Sequence, residues 1–271
     1  MTESGVDISK TSVMNNYKNN FSKILFLSKI KFGIFLNVVL ECIVYIIWWL
    51  CTGIVLSSFG IFMIAEHNPC ISWLAEVIYK YSIIIVSNIL DTTRAICPEH
   101  SRKRVIIDKT RDDPYLERCY LFLKNRETCK FNIFLHKFLK GDEDDMHDHP
   151  WGFFHIIISG GYWEYITVNE NGETLDQGVQ KVWRAPGYYN TVNSNYKHRI
   201  VLGDEKPWTL FIPFQKTQSW SFWIPLVWKN KQACVEGDIN DDDNMKCTKW
   251  KKVDSGVYLE RKRNMYKNQV L

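Results

Sequence analysis

His147-Asp148-His149-Pro150-Trp151 is the stretch on which the reading of this chain turns. In an extended strand alternate side chains share a face, so His147 and His149 point the same way. Two neighbouring imidazoles can chelate one divalent metal ion. Glycines bracket the segment, with Gly141 before it and Gly160-Gly161 after it. Far downstream, Pro186-Gly187 leads to His198, whose imidazole would complete a three-nitrogen set. The competing structural reading is that His147 and His149 cap a turn around Pro150, and that His198 is a surface strand position.

Around this segment the pattern is one of short strands. Residues 116–124, 131–139, 153–159, 162–168, 181–184, 198–202, 208–213 and 220–224 each read as a strand, and Val105-Ile106-Ile107 as a further short one. Asn169-Glu170-Asn171-Gly172 is a hairpin signal. Many short strands joined by Gly, Pro and Asn turns predict a mainly β sandwich or small barrel. The eleven tryptophans fit an aromatic β core rather than stacking platforms. Asp142-Glu143-Asp144-Asp145 and the Asp241-Asp242-Asp243 run read as solvated loops, the latter without the ligand spacing of a calcium loop.

The N-terminal part is of another kind. Residues 42–65 carry no charge, and a helix of that length exceeds the roughly 30 Å hydrocarbon core at about 1.5 Å per residue. A charge-free run this long favours a membrane span over a buried core helix, and its distance from Met1 disfavours a cleaved signal. Residues 71–90 form a second apolar stretch with Glu76 and Lys80 four apart, able to pair on one helix face. It is either a second span, reached through Glu66-His67-Asn68-Pro69, or a helix in the membrane interface. Lys18, Lys23, Lys29 and Lys31 precede the first stretch, and Arg94, Arg102, Lys103 and Arg104 follow the second. Basic flanks on both outer sides favour a hairpin with both ends in the cytosol.

The formal charge of +4 is mild and no nucleic-acid motif occurs, so no nucleic-acid partner is expected. The eight cysteines form no CxxC pair and read as free thiols in a reducing compartment. There is no GxSxG, P-loop or GxGxxG signature.

The arrangement resembles the cupin superfamily. Gly141, five residues, His147, Asp148, His149 and then Gly160 follow the first cupin motif, and Pro186-Gly187 with His198 follows the second loosely. The chain looks most like uncharacterised cupin-like proteins of bacteria, phages and large viruses that share the His-Asp-His-Pro-Trp segment. The resemblance covers residues 115–228 and implies a double-stranded β-helix, a jelly-roll barrel, with a divalent transition metal such as Fe(II) in its cavity. The implied ligands are His147, His149 and His198. One departure stands out: the cupin glutamate position falls on Phe153 or Phe154. His155 shares strand parity with Phe153 and is the first substitute, with Glu164 and His136 behind it. The missing carboxylate leaves the presence of the ion open. Arg184 is a candidate clamp for a substrate carboxylate, set against an ordinary surface salt bridge, and Glu164 is a second substrate-binding candidate.

The resulting expectation is a polar N-terminal tail over 1–31, a membrane segment over 32–91 (span 42–65, second span or interfacial helix 71–90), a linker over 92–114, the barrel over 115–228 and a polar tail over 229–271. The activity expected is that of a metal-dependent, non-haem iron oxygenase acting on a small molecule or peptide. The alternative is a non-catalytic binding or structural module displayed on a membrane. Membrane lipid and a second copy of the chain, as a homodimer, are the remaining candidate partners, and the barrel is placed on the cytosolic side.

Overall fold

Two long helices open the chain in the computed structural model: α1 (Ile8–Ala65) and α2 (Pro69–Ile96). The structure describes residues 8–66, 68–108, 111–124, 130–142, 146–167, 178–225, 245–246 and 250–269. The chain divides into Met1–Ile47 and Trp48–Leu271. The first unit is the N-terminal part of α1; its apolar side chains Phe32, Phe35, Val38 and Ile46 are exposed. The expected polar tail over 1–31 is therefore helical from Ile8 onward.

The second unit is mainly β. Its strands are β1 (Lys103–Ile107), β2 (Pro114–Tyr120), β3 (Phe134–Phe138), β4 (Met146–His147), β5 (Trp151–Ser159), β6 (Tyr162–Ile166) and β7 (Gly178–Arg184). Then follow β8 (Tyr189–Val192), β9 (His198–Leu202), β10 (Trp208–Lys216), β11 (Ser221–Pro225), β12 (Met245–Lys246), β13 (Trp250–Asp254) and the helix α3 (Ser255–Gln269). They form two antiparallel sheets, β1-β2-β3-β10-β5-β8 and β12-β7-β6-β9-β4-β11-β13. The chain repeatedly crosses between them: β4, β9 and β11 lie in the second sheet, and β5, β8 and β10 in the first. This is a β-sandwich consistent with the cupin-like resemblance. Leu116, Phe138 and Ile157 of the first sheet meet Tyr162 and Ile200 of the second in one apolar cluster.

The run Phe153–Ile158 is apolar at nearly every position, where a half-exposed strand would alternate. Its cause is burial on both faces. Phe153, His155 and Ile157 point between the sheets, while Ile156 and Ile158 are buried on the opposite side, where α2 packs on β5. The buried residues of α2 are Ala75, Tyr79, Ile83, Val86 and Leu90, spaced four, four, three and four apart along one helix face. Tyr79 donates its hydroxyl hydrogen to the Gly187 carbonyl at 3.0 Å. Phe59 of α1 packs on Phe154 and Tyr189, at 5.6 and 4.6 Å between ring centroids. Ser58 and Ser82 hydroxyls, 2.6 Å apart, join the two helices. Trp48, oddly central in an apolar helix, is buried against His100 at 4.5 Å.

Ionic contacts fix the end of α2. Arg94 grips Glu117 with two hydrogen bonds, of 2.7 and 3.0 Å. Asp91 Oδ1 accepts from Lys137 at 2.9 Å and from the Trp208 indole at 2.7 Å. Gly160 and Gly161 make the β5–β6 turn at φ of +76° and +90°, a region that L side chains rarely enter.

Two boundaries differ from the sequence expectation. The linker over 92–114 contains the end of α2 and the whole of β1, which pairs with β2. The C-terminal tail is not loose throughout: β13 pairs with β11, and Tyr258 of α3 stacks on Phe222 at 4.0 Å. Few apolar side chains carry that packing, so the polar composition hides it. The expected turn at Asn169–Gly172 and the acidic run at 241–243 lie outside the described residues. Among the described residues Cys42, Cys51, Cys97 and Cys119 are free thiols, as expected.

Because Asp91 is the shared acceptor of Lys137 and the Trp208 indole, Asp91→Ala is expected to destabilise the second unit by about 1–3 kcal/mol. Thermal unfolding of the purified chain, compared with Asp91→Asn, measures it.

Candidate metal centre

His147 and His198 are direct partners across the β4–β9 pair. Opposed side chains in an antiparallel pair have Cβ atoms only about 5 Å apart, which brings the two imidazoles together. His149 follows two residues on and returns to the same face. The three ring centroids form a triangle with every side 5.0 Å. One nitrogen from each ring lies within 4.8 Å of the other two.

The loop that carries His149 is fixed by the residue between the histidines. Asp148 is 1 % exposed and turns away from the triad. Its Oδ1 accepts from the Ser221 amide at 2.7 Å and its Oδ2 from the Trp223 indole at 3.1 Å. The Pro150 carbonyl accepts from the Thr217 amide at 2.8 Å, and Gln218 donates to the His149 carbonyl at 3.0 Å. Gly141 lies so close to β9 that a Cβ there would stand 2.8 Å from the Ile200 carbonyl oxygen.

Glu164 sets the chemistry of His198. It is fully buried, and its Oε1 lies 2.6 Å from His198 Nδ1. Its Oε2 accepts from Arg184 Nε at 2.8 Å. Burial pushes the Glu164 carboxyl up, but the His198 hydrogen bond, His155 and Arg184 outweigh it and hold the group down at about 2. A carboxylate must accept, so His198 Nδ1 carries the hydrogen and Nε2 presents its lone pair to the triad. That carboxylate–imidazole pairing is how proteins orient metal-ligating histidines.

His198 Nε2 lies 2.8 Å from His149 Nε2. At that distance either the Nε2–H tautomer of uncharged His149 donates to the His198 lone pair, or both nitrogens turn their lone pairs to one cation. Burial, then His198, His147 and His155, hold His149 well below the ordinary imidazole range, so the ring is uncharged and one of its nitrogens carries a lone pair. Nitrogens each about 2.1 Å from one ion lie roughly 3.0–3.4 Å apart in common geometries. The three nitrogens lie within 4.8 Å of one another, and a set of three imidazoles suits a divalent transition metal.

The other sequence candidates fall outside the triangle. Phe153 faces the triad, 5.0 Å from the His149 ring, and Phe154 faces Phe59 on the other side of the sheet. Of the two candidate glutamate positions, the inward one is thus Phe153. His155 lines the same cavity but is not one of the three clustered histidines, and its Nε2 is buried with no hydrogen-bond partner. His136 is buried and accepts from Arg118 Nε at 2.9 Å. Arg184 is 3 % exposed, so its ion pair with Glu164 is a buried one rather than a surface one. Asp142 is not a solvated residue either: it accepts from the Tyr115 hydroxyl at 2.6 Å and the Ile200 amide at 2.7 Å. Glu143, Asp144 and Asp145 lie outside the described residues. Sequence reasoning missed the anchoring role of Asp148, although its place between two candidate ligands, with strand parity opposite to theirs, was a signal.

The triad opens on a cavity of about 300 Å³ between the sheets. Phe138, Phe153, Tyr162, Phe211 and Phe222 give it aromatic walls.

No protein-family model and no curated protein matches the sequence. The chain is similar to a solved structure of the DMSP lyases RdDddP and RnDddQII, at 14 % identity over 48 % of this chain and 64 % of that one, with a TM-score of 0.36. It is also similar to Fe(II)-HppE with the alternative substrate (S)-1-HPP, at 11 % identity over 41 % of this chain and 55 % of that one, with a TM-score of 0.31. A third is oxalate oxidase in complex with the substrate analogue glycolate, at 12 % identity over 36 % and 48 %, with a TM-score of 0.28. The chain spans less than two thirds of the length of each of these proteins. Likeness at this level carries no functional inference.

Burial lowers His155 from 6.5 to about 4. The unfolded chain takes up this proton near pH 6.5, and the folded chain resists it. Stability is therefore full above pH 6.5 and falls towards pH 4, by about 3 kcal/mol from His155 alone. Melting temperatures of the chelator-treated protein are expected to drop across that range, and less steeply for His155→Leu.

Proposed function

We propose that this chain is a membrane-associated, cupin-like metalloprotein whose His147, His149 and His198 hold one divalent transition metal. The observation that carries the reading is the equilateral imidazole triangle with His198 oriented by a buried carboxylate. Within this reading the protein is of the non-haem iron oxygenase type, acting on a small molecule in the cavity. A metal bound there supplies Lewis-acid polarisation and open coordination positions. The chain's own residues do the rest. Glu164 holds the His198 tautomer, Asp148 holds the loop of His149, and Phe153 and Phe211, stacked at 4.8 Å, keep water from the flank of the triad.

Membrane association rests on length and composition. Lys31–Ala65 and Ile71–Ile96 are long and apolar enough to cross a membrane, with mean hydropathies of 2.2 and 1.4. The docking of α2 on β5 and the salt bridges at its end favour an interfacial α2 over a second span. Its exposed apolar residues Ile71, Leu74, Ile78, Tyr81 and Ile85 form the face for lipid. With α2 interfacial the two basic flanks lie on opposite sides of a single span, so a cytosolic barrel belongs to the alternative in which α1 and α2 both cross as a hairpin.

The second reading, a non-catalytic module, is favoured by one observation: the residue facing the triad at the glutamate position is Phe153. Elemental analysis of the purified full chain separates the two. About one iron per chain, lost in His147→Ala and His149→Ala, is expected. Glu164→Gln is expected to weaken metal affinity about 10–100-fold, measured by chelator competition. Protein handled without chelator that holds no metal would favour the module.

A further inference from the structure

Arg118 is a cation on the cavity wall without a carboxylate. It projects inward from β2 with the parity of Leu116 and lines the cavity that the triad opens on. Its Nε donates to His136 Nε2 at 2.9 Å, its guanidinium lies 4.8 Å from the Phe134 ring centre, and the Tyr120 hydroxyl is its other polar neighbour. All three are neutral: a histidine that accepts from a guanidinium has an unprotonated nitrogen, and burial, then Arg118, hold His136 well below its ordinary range. Its cross-strand partner on β1 is another cation, Arg104. Like charges placed directly opposite repel. Among the described residues no carboxylate lies within ion-pair distance of Arg118. The two carboxylates on the cavity wall are engaged elsewhere: Asp108 pairs with Lys140 at 2.6 Å, and Asp142 takes the Tyr115 hydroxyl.

A half-buried guanidinium facing neutral groups and a second cation is an arrangement completed by an anion, and its planar donors suit a carboxylate. The opposite end of the cavity strengthens the case. An ion held by three imidazoles, with phenylalanine where a glutamate would stand, keeps its full charge, so the whole cavity favours a negatively charged guest. The rest of the wall is aromatic, and about 300 Å³ admits only a small molecule.

From this we infer that the cavity binds a small carboxylic acid with an apolar body, its carboxylate held by Arg118 and the remainder directed along Phe211 and Phe153 toward the His147, His149 and His198 triad. The inference deepens the metalloprotein reading by naming the substrate class, and the subsite itself needs no metal.

The test uses the full chain in detergent micelles, stripped of metal, with phenylacetate and its uncharged analogue phenylacetamide as probes in calorimetric titrations. Phenylacetate is expected to bind at least tenfold more tightly than the amide. Arg118→Met is expected to bring the acid down to the level of the amide and leave the amide unchanged, while Arg118→Lys keeps part of the preference. Melting curves report whether each variant is folded, and the wild-type comparison of acid and amide stands without any variant. Equal affinity for the two probes, no binding of phenylacetate, or an unchanged preference in folded Arg118→Met overturns the inference. An acid preference in protein that takes up no metal supports the subsite while the metal reading fails. Metal uptake without an acid preference does the reverse.

Discussion

The buried chain from Arg184 through Glu164 to His198 is the constraint on which the site depends. A carboxylate at zero exposure is costly unless it is paired and hydrogen-bonded on both oxygens. Here both oxygens are used, one by a guanidinium and one by an imidazole. The pairing leaves no freedom in the His198 ring: Nδ1 must donate, and Nε2 must face the cavity. Because His147 is the direct cross-strand partner of His198, the register of β4 against β9 then fixes the second ring. The third follows from the anchoring of Asp148 on β11, since turning that one side chain outward returns His149 to the inner face. Three elements distant in sequence are thereby brought to one point by strand pairing and two buried carboxylates.

Part of this was legible in the sequence. The period of two in a strand puts His147 and His149 on one face, and the Pro-Gly signal before His198 hints at a matching turn. Those signals left open whether the three histidines meet; the register that sets His147 opposite His198 is what brings them together. The roles of Glu164 and Arg184 were not legible. Each was readable as a group facing substrate, because spacing along β6 and β7 says which face a residue takes but not which residue it meets across the pair. Arg184 and Glu164 sit on adjacent strands, on the side of the second sheet where His198 also lies. The same gap explains the C-terminus, where a small cluster of Phe222, Val253, Tyr258 and Leu259 docks a segment of polar composition.

The helices show a different kind of ambiguity. An apolar run long enough to cross a membrane is equally able to cover a sheet, and hydropathy cannot tell them apart. The apolar run of β5 holds the clue. With no polar alternation from Phe153 to Ile158, that strand needs cover on both faces, and here an apolar helix supplies it on one. α2 meets this demand with the face of Ala75, Tyr79, Ile83, Val86 and Leu90. Its remaining apolar residues are then in excess of what the sandwich requires, and it is this excess, rather than the total hydropathy, that argues for lipid.

Charge balance links the loss of the glutamate to the lining of the cavity. A protein that places glutamate beside an ion lowers the net charge at the site by one. Phe153 removes that compensation, and the remaining carboxylates, Glu164, Asp142, Asp108 and Asp148, are each engaged with a cation or hydrogen-bond donor of the chain. Arg118 adds a further positive charge to the same space. In a low-dielectric enclosure such an excess is not screened by solvent, and every unit of it raises the affinity for an anion. In the proposed reading, with an ion at the triad, Phe153 at that position leaves the compensating negative charge to be supplied by the guest rather than by the protein.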